Sequence, residues 1–130
     1  MAEQISYYWE IDDFPDAGVP LRERLVLIEW VAAPPAPDTH ISKKTAAGTK
    51  VRVERIANFI TVQFFKVYLA NRPLPRIVFE EVIEENGEEI RRNKWIVEDA
   101  IIPTMDQRDR KEGEYEWATR PHIDEFLLQI

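Results

Sequence analysis

Between residues 43 and 76 the chain gathers eight bases, Lys43, Lys44, Lys50, Arg52, Arg55, Lys66, Arg72 and Arg76, against a single acid, Glu54. Within that stretch residues 42–55 read SKKTAAGTKVRVER. Small residues leave backbone amides open to a phosphate, and Lys43, Lys44, Lys50, Arg52 and Arg55 bring countercharge. The order is wrong for a Walker loop, which requires G-x-x-x-x-G-K-[ST], whereas Gly48, Thr49 and Lys50 stand alone. Three partners suit such a basic loop: the chain's own acidic flanks, an anion or nucleic acid, and the acidic surface of another protein.

Aromatic side chains interleave with the same bases at Phe59, Phe64, Phe65 and Tyr68. On a sheet, Phe64 and Tyr68 could stack single-stranded bases, as oligonucleotide-binding barrels do; the alternative is that they fill a core. A second cluster, Glu84, Glu85, Glu88 and Glu89, surrounds Asn86 and Gly87. Four carboxylates there suit a solvated tip, a basic protein partner or, least well, a hard cation, which needs more converging oxygens than one tip supplies.

Other chemistries find no constellation. There is no cysteine, so thiolate catalysis, disulfides and cysteine-ligated zinc are excluded. The two histidines, His40 and His122, form no metal-binding pair, and Asp12, Asp13 and Asp16 lack calcium-loop spacing. His40 follows Asp38 by two residues, which admits a general-base role. The only serines, Ser6 and Ser42, sit in no G-x-S-x-G turn. No catalytic residue, metal, cofactor or small-molecule substrate is inferred.

The elements that must position these groups fit one domain of 130 residues. Residues 4–11 and 21–32 read as strands from their β-branched and aromatic content, with a turn over residues 12–20. Residues 33–50 form a long Pro/Ala/Lys loop that admits a short helix. Residues 51–70 are read as strand, rich in Val, Ile and Thr, with residues 71–75 as the first turn of a meander. The competing reading is a helix with Val53, Ile56, Ile60, Phe64 and Val67 on one face.

Residues 76–85 and 88–98 flank Asn86 and Gly87, the pair best suited to a type I′ turn. That turn predicts Ile83 opposite Ile90, Glu81 opposite Arg92, Val78 opposite Trp95 and Ile77 opposite Ile96. It also sets Glu85 against Glu88 and Glu84 against Glu89, like-charged pairs that folding alone does not explain. Residues 106–114 read as a charged turn or loop and residues 115–118 as a short strand. Residues 119–130 read as a docking helix capped by Thr119, with Ile123, Phe126, Leu127 and Ile130 on one face.

The expected fold is therefore mainly β, an antiparallel meander closed into a barrel or sandwich with a short C-terminal helix; the alternative is α+β with residues 51–70 helical. The net charge of −7 is unevenly spread, since the acids lie in both flanks of the basic stretch. Such segregation favours protein–protein contact, including head-to-tail pairing of identical copies into rings or filaments. A non-enzymatic assembly subunit of a larger particle, such as a phage or virion, is the leading reading. A single-strand nucleic-acid binder using residues 43–76 and an acidic mimic of nucleic acid are the alternatives. The start, MAEQ, shows no basic or apolar leader, and no apolar run reaches the ~20 residues that cross a bilayer. A location in the cytoplasm or inside a viral or phage particle is expected, with no membrane partner.

Overall fold

The computed structural model describes residues 3–14, 21–32, 34–111 and 121–130. Strands dominate: β1 (Gln4–Asp12), β2 (Leu21–Leu25), β3 (Leu27–Trp30), β4 (Thr39–Ile41), β5 (Lys50–Ile56), β6 (Leu74–Glu85), β7 (Glu88–Asp109) and β8 (His122–Gln129). Two helices join them, α1 (Lys43–Ala46) and α2 (Thr61–Leu69). The mainly β, antiparallel expectation is met, with β4, which pairs parallel to β7, as the exception.

The main path runs β2-β1-β6-β7-β8-β5-β3. Its two ends, β2 and β3, are consecutive pieces of one stretch. The residue between them, Val26, donates its N–H to the Glu54 carbonyl at 2.8 Å. The long strand predicted for residues 21–32 is thus bent, its first half pairing with β1 and its second with β5. A second corner lies in β7, which pairs with β6 as far as Ala100 and with β8 from Ile101 onward. Two corners wrap one sheet path around a single core, a barrel-like sandwich.

Aromatic rings fill that core. Phe64 stacks on Trp9 at 5.6 Å between centroids and meets Phe14 at 4.5 Å and Phe126 at 4.9 Å. Such pairs contribute about 0.5–1.5 kcal/mol each beyond the area they bury.

The stretch 51–70 satisfies neither single reading. Its first part is β5 and its second is α2, which buries Phe64 and Val67. A local turn divides them: the Ile60 N–H donates to Asn58 Oδ1 at 2.9 Å, and the Asn58 N–H to Thr61 Oγ1 at 3.0 Å. Side chains that bind nearby backbone in this way compete with strand pairing and start helices. Because α2 intervenes, β5 pairs with β3 and β8, not β6, and the predicted turn at residues 71–75 joins a helix to a strand.

The C-terminal helix is also corrected. Residues 122–129 form β8, paired on both edges, with β5 and with β7. Phe126, Leu128 and Ile130 alternate inward at period two and Ile123 is buried, so Ile123, Phe126 and Ile130 belong to this chain's own core and Leu127 is half-buried. Residues 106–109, expected as a loop, continue β7, and the 33–50 loop holds β4 and α1. The predicted strand at 115–118 and the Thr119 cap lie outside the described residues.

At the β6–β7 hairpin both turn residues take positive φ, 55° at Asn86 and 83° at Gly87. Glu85 faces Glu88 and Glu84 faces Glu89, as the turn predicts. A bulge then leaves Ile90 unopposed, so Ile83 faces Arg91, Phe79 faces Trp95 and Ile77 faces Val97. The slip puts large apolar residues of both strands on the core side, which outweighs keeping the turn's register. A Cβ at Gly87 would meet nothing within 4 Å, so only backbone strain opposes it. Gly87→Ala is expected to lower unfolding free energy by about 1 kcal/mol in a denaturant titration, with Asn86→Gly closer to neutral.

Candidate assembly interface

The fold sorts six of the eight bases of the central stretch into two groups, with Lys66 and Arg72 exposed on and just after α2. Arg52, Arg55 and Arg76 are tied within the chain. Arg52 lies 3.8 Å from Glu54 and 3.6 Å from Glu125, and Arg76 lies 3.6 Å from Asp12. Arg55 has no exposed surface. Its Nε and Nη2 donate to the two oxygens of Glu23 at 2.6 and 2.9 Å, and its Nη1 donates to Asp124 Oδ2 at 2.7 Å. Nη2 also reaches Asn58 Oδ1 at 3.0 Å, and the guanidinium lies 4.8 Å from the Phe64 ring centre.

Asp124, likewise without exposed surface, accepts further bonds from Thr61 Oγ1 at 2.7 Å and Gln107 Nε2 at 3.0 Å. Glu23 also accepts the Trp9 indole N–H at 2.9 Å. Residues of β1, β2, β5, α2, β7 and β8 therefore meet at one buried charge network. Arg55, a predicted binding residue, is a structural residue out of a partner's reach. Phe64 is equally inaccessible and cannot stack a base, and Tyr68 is half-buried against the core. The basic–aromatic strip proposed for nucleic acid is not assembled.

Lys43, Lys44 and Lys50 do remain exposed, with no ion pair among the described residues. They sit on and just after α1, whose start is held by a capping box between Ser42 and Thr45. The amides of this turn are engaged: Lys44 donates to Ser42 Oγ, Thr45 and Ala46 to the Ser42 carbonyl, Gly48 to the Ile130 carbonyl and Thr49 to the Ala46 carbonyl. An open cradle of amides for a phosphate is therefore lacking, and the lysines act as point charges on a fixed ledge. His40 pairs with Glu98 at 2.8 Å, not with Asp38.

The acidic tip lies at the other end of the β6–β7 ladder. Glu88 opens β7, while β4 runs parallel beside Val97 and leads the chain into α1 near Ile130. At about 3.3 Å per residue the nine steps from Glu88 to Val97 span roughly 30 Å. Glu84, Glu85 and Glu88 have no ion pair among the described residues, whereas Glu89 meets Arg92 at 2.7 Å. That hydrogen bond holds the Glu89 carboxyl below its ordinary range.

One surface escaped the sequence reading. Phe59 is 80% exposed, Val62 53% and Leu69 79%, giving an apolar stripe with Lys66 along the outer side of α2. Its signal was present as spacing of three, four and three residues, but the strand reading of this segment hid it.

No protein-family model matches the chain, and no curated protein matches it. Solved structures do. An Hcp1 crystal structure from Salmonella typhimurium superposes with a TM-score of 0.66 at 12% identity, covering 97% of this chain and 80% of that one. The secreted protein Hcp3 from Pseudomonas aeruginosa gives 0.61 at 7% identity, covering 97% and 86%. A protein described as belonging to a type six secretion system gives 0.61 at 9%, covering 97% and 80%. At these identities what is shared is the fold. The expectation of a cytoplasmic or particle-enclosed location is overturned by the second match. A protein of this fold is described as secreted, so the opening residues MAEQ are no ground for keeping a chain of this kind inside the cell.

Two outcomes test the site's electrostatics. Arg55→Met leaves Asp124 and Glu23 without their cation and is expected to cost about 3–5 kcal/mol in denaturant unfolding; Arg55→Lys, lacking the fork, falls between the two. For Glu89, a lowered carboxyl value means a contribution present above the ordinary carboxylate range and lost as pH falls through the folded value. Arg92→Gln is expected to return Glu89 to that ordinary range when its side chain is followed by NMR through an acid titration.

Proposed function

We propose that this chain is a structural, non-enzymatic subunit whose copies assemble head to tail, the acidic hairpin tip of one meeting the basic α1 ledge of the next. The observation that carries the reading is the placement of two unneutralised, oppositely charged patches about 30 Å apart on one rigid ladder. Patches that are complementary but not coincident make a heterologous contact, and such contacts build rings or filaments. The like-charged pairs Glu84–Glu89 and Glu85–Glu88 each cost a few tenths of a kcal/mol within the fold. A cationic partner surface offsets that cost.

Two further features support the reading. The apolar stripe of α2 is a surface of the sort that association covers. The fold is shared with proteins described as secreted or as part of a type six secretion system. A secretion apparatus of that type, in place of a virion, is the larger particle in which the subunit would serve. Nucleic acid is dropped as a partner, because Arg55 and Phe64 are buried.

Sedimentation velocity tests this. Self-association is expected at about 0.02 M salt and to weaken at about 0.5 M, as the Debye length falls from roughly 20 Å to about 4 Å. Replacing Glu84, Glu85 and Glu88 by Gln is expected to weaken it by about tenfold or more at the lower salt. A monomer at every concentration, or association indifferent to both changes, contradicts the proposal.

A further inference from the structure

A cleft of about 300 Å³ lies under the proline strap, whose Pro35 also borders the hollow beside Ala46 and Lys50. Trp30 and Trp95 form its aromatic wall, with Glu81 and Asn93 beside them. Pro34, Pro35 and Pro37 form the opposite side. The strap is fixed by the Trp95 indole N–H donating to the Pro35 carbonyl at 3.1 Å and by the Asp38 N–H donating to the Lys94 carbonyl at 2.6 Å. The cleft is therefore preformed, as small binding sites usually are.

Glu81 is out of place for a purely structural role. It lies at period two from Ile77 and Phe79, both members of the core cluster, so it shares their row of β6. It receives one hydrogen bond, from Asn93 Nδ2 at 3.1 Å, and among the described residues no cation pairs with it. A half-buried carboxylate without a countercharge is costly, and a partner's cation would relieve that cost. The Trp30 indole N–H is buried with no acceptor among the described residues. A bare metal ion is a poor fit, since one carboxylate and one amide supply too few oxygens.

We propose that this cleft binds an arginine or lysine side chain carried on an extended segment of a partner protein. The cationic head pairs with Glu81, while the aliphatic stem lies against Trp30, Trp95 and the proline rings. Glu84, Glu85 and Glu88, further along the same hairpin, add attraction for a basic segment without touching the head group. The proposal does not require head-to-tail assembly, since neither Glu81 nor the two indoles is a contact residue in it.

The test is a titration of the full chain with acetyl-Gly-Arg-Gly-amide, followed by the four indole N–H signals in ¹H–¹⁵N spectra. The neutral control is the same peptide with citrulline replacing arginine. Saturable shifts at the Trp30 and Trp95 signals are expected, weaker by about tenfold or more for the citrulline peptide and for Glu81→Gln. The amide oxygen introduced by Glu81→Gln can still accept from Asn93, so the fold is kept, and an unchanged backbone amide spectrum verifies this. Replacing Glu84, Glu85 and Glu88 by Gln tests for diffuse attraction, and the Trp30 shift is expected to persist. Equal shifts from arginine and citrulline, shifts unaffected by Glu81→Gln, or shifts lost only in the tip variant overturn the proposal.

Discussion

Arg55 carries a full charge with no exposed surface, and the meeting of β2, β5, α2, β7 and β8 is built around its guanidinium. Removing such a charge from water costs several kcal/mol, offset only when its donors are matched and its partners are themselves bonded. Both conditions hold here. Glu23 takes two of the donors in a fork, and Asp124 takes a third while also receiving Thr61 and Gln107. The network ties the turn before α2 to the corner where β2 passes into β3. It thereby fixes the helix whose Phe64 completes the aromatic core.

A consequence is that charge on this chain has two fates. Some of it closes the fold: Glu80 is nearly buried under Arg92 at 2.7 Å with Arg22 and Lys94 each at 3.6 Å, and Glu54 under Arg108 at 3.2 Å. Other charges have no ion pair among the described residues, and these include the cations on α1 and the carboxylates Glu84, Glu85 and Glu88 at the tip. Patches of opposite sign set apart in this way direct association between copies.

Local chemistry was legible in the sequence, and long-range pairing was not. Asn86 and Gly87 announce their turn through two positive φ angles, and the like-charged pairs beside them follow. The bulge at Ile90 is set by which side chains the core accepts, which no local signal conveys. Residues 122–130 carry apolar spacing compatible with a helix; they become a strand because β5 and β7 leave a slot of one strand's width between them. Arg55 looked like its neighbours Lys50 and Arg52. Only its distant partners, Glu23 and Asp124, thirty-two and sixty-nine positions away, distinguish it. The apolar stripe of α2 and the carboxylate of Glu81 under the strap could likewise be seen only once the helix and the strand register were known.

Complementation between two charge-reversed variants tests the central claim most directly. One carries Lys at Glu84, Glu85 and Glu88; the other carries Glu at Lys43 and Lys44. Each alone presents like charges at both ends, whereas an equimolar mixture offers opposite charges at every head-to-tail contact. Monomers are expected for each variant by light scattering at low salt, and restored assemblies on mixing. Assembly of either variant alone, or a mixture that stays monomeric, would contradict it.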